Sequence, residues 1–112
     1  MVNQGDIIWL DFSPQTGHEQ KGRRPALVVS NETFNHFSNL AIVCPITNTN
    51  RKHPFHVKLD ERTKTTGVIL SDQARTLDIV ARNYEFIEKI ADDILFEVID
   101  IISGFIEWEN KE

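Results

Sequence analysis

Gly5-Asp6-Ile7-Ile8-Trp9-Leu10-Asp11-Phe12 and Pro25-Ala26-Leu27-Val28-Val29-Ser30 are the two runs that decide the fold. In the first, Ile8, Leu10 and Phe12 alternate with Trp9 and Asp11, which is the period of a strand. Ser13-Pro14 ends it. The second is apolar almost without a break, as expected of a strand buried on both faces. Between them lies Gly17-His18-Glu19-Gln20-Lys21-Gly22-Arg23-Arg24-Pro25. A carboxylate, an amide and the cations Lys21, Arg23 and Arg24, set between glycines and a proline, do not build a core. The stretch reads as a mobile or binding loop mounted on a sheet.

Working outward, strand periodicity recurs at Leu40–Thr47, Gly67–Ser71, Leu77–Ala81 and, less cleanly, Tyr84–Ile90. Pro54–Leu59 alternates Phe55, Val57 and Leu59 against His56 and Lys58, so it is predicted as a half-exposed strand. The segments 48–53 and 60–66 are polar turns. Asn31–Phe37 is predicted as one helical turn, capped by Ser30 or Asn31, with Phe34 and Phe37 on one face. The regime changes at Asp92, the predicted N-cap of a helix whose positive end suits Asp93. Ile94, Leu95, Val98, Ile101, Ile102 and Phe105 keep helical spacing, but Phe96, Ile99 and Ile106 spread the apolar surface beyond one stripe. Such a helix is buried on two sides, and a partner subunit would supply the second. Six or seven short strands and one terminal helix predict a mainly β fold, a small barrel capped by a helix. No repeat or second domain is visible, so residues 1–112 are expected to form a single domain.

Composition is that of a globular chain, 40% hydrophobic and 26% charged. Cys44 sits in the apolar run Leu40–Cys44 and reads as a small buried hydrophobe rather than a thiol nucleophile. One cysteine, no signal-peptide pattern and no apolar run near the ~20 residues of a membrane span predict a cytoplasmic protein with no membrane partner. The net charge of −5 argues against nucleic acid, but its distribution does not. Residues 1–82 hold ten Lys/Arg against eight Asp/Glu; residues 83–112 hold two against nine. Lys21, Arg23, Arg24, Arg51 and Lys52 form local basic patches that are either solvated loops or contacts for a phosphate backbone.

The chemistry-bearing residues exclude several classes. His18, His36, His53 and His56 show no zinc spacing; on a strand, His53 and His56 would point to opposite faces. No metal and no cofactor is expected. Nucleotide-binding loops and a serine elbow are absent. What remains are polar residues at strand ends: Arg24, Thr47 and Gln73, with Glu19 and Gln20 in the first loop. Each has a plain structural reading, as an ion pair, a strand former or a turn residue. Converging on one rim, they would form a phosphate-binding set beside a carboxylate.

These residues carry a resemblance. Gly5-Asp6-Ile7-Ile8-Trp9, Asp11-Phe12-Ser13-Pro14 and the run Gly17 to Ser30 are similar to the MazF/PemK family of toxin endoribonucleases. So are Phe34-Asn35, Pro45-Ile46-Thr47 and the stretch from Thr66-Gly67-Val68 through Asp72-Gln73 to Asp78. The resemblance implies a dimer of SH3-like barrels and the toxin of a type II toxin–antitoxin pair. It implies metal-independent, sequence-specific cleavage of single-stranded mRNA, inhibiting translation and growth, and a MazE/PemI-like antitoxin as partner. In that chemistry the 2′-hydroxyl attacks the adjacent phosphorus, leaving a 2′,3′-cyclic phosphate and a 5′-hydroxyl. The family's catalytic Arg and Thr fall on Arg24 and Thr47, its loop carboxylate on Glu19, and a groove residue on Gln73. Gln20, Lys21, Arg23, Arg51 and Lys52 are expected to contact RNA. Physically, Arg24 and Thr47 suit stabilisation of phosphoryl charge. Arginine is a poor base, so Glu19 is left between base, loop latch and spectator. Trp9 and Phe55 are expected in the core, with base stacking as the other reading. The alternatives are a CcdB-like gyrase poison of the same fold and a non-catalytic RNA-binding barrel.

Overall fold

The computed structural model describes residues 1–12, 22–49 and 52–111. The elements run β1 (Asp6–Asp11), β2 (Arg23–Val28), α1 (Glu32–Ser38), β3 (Ala41–Thr47), β4 (His56–Lys58) and β5 (Val68–Leu70). A 3-10 turn (Ser71–Gln73), β6 (Arg75–Leu77), β7 (Glu85–Lys89) and α2 (Asp92–Phe105) follow. The strands form one antiparallel sheet in the order β4-β5-β3-β2-β1-β7, with β6 also paired to β3. The mainly β fold with a C-terminal helix is as expected, but the sheet stays open: β4 and β7 are its ends, and the described strands do not close a barrel.

The centre of the sheet explains itself from alternation. Ile7, Leu27, Cys44 and Ile46 join one buried cluster with Val57, Ile69 and the α2 residues Ile94 and Val98. Ile8, Leu10, Ala26, Val28, Ala41 and Val43 join a second with Leu77 and Ile79. The strands β1, β2 and β3 are therefore covered on both faces, as the unbroken apolar run of β2 predicts. Along β3, residues 41–43 pair with β6 and residues 46–47 with β5. The change of partner falls at Cys44-Pro45, where proline has no N–H to give a ladder. The 3-10 turn carries the chain across that gap.

Several local expectations change. Leu77–Ala81 is not a strand: β6 lies earlier, and Asp78 accepts the Ala81 N–H (3.2 Å) to turn the chain. Asn31 does cap α1, accepting from the Phe34 N–H (3.0 Å), but Phe37 is exposed and Asn35 is the buried residue. Asn35 is held in place by the Ser30 hydroxyl, which donates to it and accepts from the Ile42 N–H (2.9 Å). Asp92 is the first residue of α2 rather than its cap, which is Ala91. Asp93 instead takes two hydrogen bonds from Arg62 (2.8 and 3.0 Å), tying the 60–66 loop to the helix. One side of α2 is packed, while Phe96 (70% exposed) and Ile106 (82%) face outward. Among the described residues no helix is long and apolar enough to cross a membrane.

Candidate active site

The register of the sheet assembles the site. Ala26 pairs with Pro45, the end of the β2–β3 ladder, and the same antiparallel register carried two residues further directs Arg24 toward Thr47. Thr47 pairs on its other side with Val68, and Val68 with Lys58. Directly paired residues share a sheet face. Thr47, Val68 and Lys58 thus form one row across three strands, His56 opposite Leu70 belongs to the next row of that face, and Arg24 lines the same pocket as Thr47. Gln73 arrives from the 3-10 turn. The result is a pocket of about 180 Å³ lined by Arg24, Thr47, Thr49, His56 and Gln73 over Val68 and Leu70.

Two devices fix Thr47. Its hydroxyl donates to the Thr49 hydroxyl (3.1 Å) and accepts from the Thr49 N–H (3.2 Å). Its backbone lies against Gly67, whose φ is +115° and at which a Cβ would come within 2.8 Å of the Thr47 carbonyl carbon. Glycine is required there on both counts. Arg24 is exposed and, among the described residues, has no ion-pair partner. A guanidinium, a hydroxyl, an amide and an imidazole on an open face are donors arranged to receive an anion.

Arg23 was expected to contact RNA and does not share this face. It is part-buried on the opposite side of β2, donating to Asp11 (2.9 Å), Glu85 (2.7 Å) and the Asn83 carbonyl (3.1 Å). The Asn83 amide and then the Arg23 guanidinium hold the Asp11 carboxyl below its ordinary range. Lys52 lines a larger neighbouring groove of about 730 Å³, which shares Thr49 and His56 with the small pocket. Glu19, Gln20, Lys21 and Arg51 lie outside the described residues. Cys44 is fully buried, and burial pushes its thiol up to about 12, which removes it as a nucleophile.

The sequence reading overlooked His56 and Lys58. Their alternation against Val57 and Leu59 already put them on the outer face of β4. It also separated His53 from His56 by treating both as strand residues. β4 begins at His56, so His53 follows no strand alternation, and its ring stacks on that of His56 at 4.7 Å. His53 also meets Phe55 (5.2 Å), which in turn meets Phe105 of α2 (4.7 Å). Neither Phe55 (38% exposed) nor Trp9 (40%) is a core residue as expected; both present ring surface to solvent.

Comparison with known proteins agrees with this architecture. Residues 3–105 match the family described as PemK-like, MazF-like toxin of type II toxin–antitoxin system. The chain is 38% identical over 109 residues to endoribonuclease PemK of Escherichia coli, covering 94% of this chain and 82% of that one. The crystal structure of MazF (Form-I) from Deinococcus radiodurans superposes with a TM-score of 0.83 at 38% identity, covering 94% of this chain and 96% of the other. That of MazE-MazF (Form-II) from the same organism gives 0.82 at 31% identity, covering 96% and 97%. The chain belongs to the PemK/MazF family of type II toxin–antitoxin toxins.

Proposed function

We propose that this chain is a single-domain cytoplasmic toxin that cleaves single-stranded RNA at short sequences, with Arg24 and Thr47 as the catalytic pair. The observation that carries the reading is the shared pocket: two residues 23 positions apart in the chain line one small pocket on the sheet. In the reaction the 2′-oxygen attacks phosphorus, its proton passes to a base, the P–O5′ bond breaks and the 5′-oxygen takes a proton. Charge builds on the non-bridging oxygens. Arg24 donates to them in a two-pronged way and Thr47 adds one hydrogen bond. Gln73 and Lys52 hold the strand on either side. Glu19 has the chemistry of the base. None of these roles calls for a metal. The outward apolar face of α2 supports a homodimer, and the relative solved as MazE-MazF supports an antitoxin of that kind as partner.

Incubation with a long single-stranded RNA in excess EDTA tests this. Discrete products ending in 5′-hydroxyls and 2′,3′-cyclic phosphates are expected. Binding without cleavage, or inhibition of DNA gyrase with intact RNA, would overturn it.

A further inference from the structure

We propose that His53, His56 and Asp72 form a site for a divalent first-row transition cation, with zinc the best match. Two imidazoles and a carboxylate are the ligand set that zinc takes in three-ligand sites, leaving a fourth position to water. One ligand atom from each residue lies within 4.8 Å of the others. His56 Nε2 and Asp72 Oδ1 are 3.4 Å apart. Ligands bonded at about 2.1 Å to a tetrahedral centre stand about 3.4 Å from one another. That separation is long for a hydrogen bond but is the edge of a coordination tetrahedron. His56 supplies a second observation. Its side chain is 6% exposed, so the ring is held in place with Nε2 toward Asp72 before any ion binds. The three ligands come from different elements: His56 from β4, Asp72 from the 3-10 turn, and His53 from the segment before β4. His53 is exposed and outside any strand. Its Nδ1 accepts the Phe55 N–H (3.2 Å) and its ring stacks on that of His56, so the ring must turn to bring Nε2 to the third corner.

The cation is a clasp, not a reactant. It fastens the segment around His53 to the 3-10 turn, beside the pocket that His56 shares with Arg24 and Thr47. Because it is read by binding, the proposal stands or falls apart from RNA cleavage.

Titration of the chelator-stripped full chain with zinc against a chromophoric chelator tests it, with melting temperatures recorded alongside. One zinc per chain with micromolar affinity and a raised melting temperature are expected. His53→Ala and Asp72→Asn should each weaken binding at least about tenfold, while His36→Ala leaves it unchanged. Cobalt(II) at the same site should show the strong visible absorption of a tetrahedral centre. No saturable zinc binding below roughly 100 µM, or affinity unchanged by both His53→Ala and Asp72→Asn, would overturn the proposal.

Discussion

Arg23 and Arg24 are adjacent in the chain and lie in two different parts of the molecule. Strand alternation sends them to opposite faces. Around Arg23, the end of β1 is bound up: Asp11 takes Arg23 and the Asn83 amide (2.9 Å), and Arg82 donates to the carbonyls of Asp11 and Phe12 (3.3 and 3.1 Å). Around Arg24, the donors converge on an open pocket with no carboxylate among its described lining residues. One cation is consumed by the fold, while its neighbour lines a pocket and has no ion-pair partner among the described residues. A basic patch counted in sequence hides this division, because counting charges ignores which face each one occupies.

Replacing each arginine in turn puts the division to its strongest test. Arg24→Ala should lower RNA cleavage by about 10²–10³-fold or more, the usual effect of removing a preorganised oxyanion donor, with the melting temperature nearly unchanged. Arg23→Ala should leave cleavage within about threefold and act on stability alone, modestly, since partly exposed ion pairs contribute little. Single-turnover cleavage paired with thermal melts separates the two. Cleavage lost equally in both variants would end the comparison.

The next test reaches the site through its support. Gly67→Ala drives a Cβ into the Thr47 carbonyl at a backbone angle alanine avoids. A loss of roughly 2–4 kcal/mol in urea unfolding is expected, with cleavage falling as Thr47 shifts. Thr47→Val is the cleaner companion: it keeps the β-branched shape and deletes the hydroxyl. Cleavage should fall about 10–100-fold with stability held within about 1 kcal/mol. If Thr47→Val costs stability and spares cleavage, its bonds with Thr49 are structural and the site reduces to Arg24.

Much of this was legible in the residues because it rests on alternation. The two-sided burial of β2 follows from Ala26-Leu27-Val28, and α2 from its spacing. What alternation cannot give is which strands are neighbours. Bringing Arg24 to the pocket of Thr47, Val68 and His56 needs the order β4-β5-β3-β2, and that is set by long-range pairing. The apolar run after Leu77 misled for a related reason: Ile79 is buried inside a turn, so burial there carries no strand period. Trp9 and Phe55 misled because ring size suggests a core, whereas here both rings stay partly exposed, Trp9 beside a groove and Phe55 edge-on to Phe105. His53 and His56 met because the strand began at His56, two residues later than its apolar pattern implied, which left His53 outside it.

Acid brings out the smallest difference between the two arginines. The Asp11 carboxyl is held below its ordinary value of 3.8 by the Asn83 amide and by Arg23. A folded-state pKa below the unfolded one contributes stability that is complete above the unfolded value and is lost as pH falls through the folded one. Asp60 and Asp93, both held down by Arg62, behave alike, as does Glu88. For Glu88 burial works the other way, and hydrogen bonds from the Thr65 N–H, the Thr65 hydroxyl and the Lys64 N–H outweigh it. The protein should therefore lose stability as pH drops below about 4, where carboxylates protonate. Asp11→Asn and Arg23→Ala should each make that loss shallower, so that their melting temperatures approach the unsubstituted protein's in acid. Arg24→Ala should run parallel to it at every pH. Should Arg24→Ala flatten the acid limb as Arg23→Ala does, Arg24 holds a carboxylate in the folded state, and its charge is spent on structure before RNA arrives.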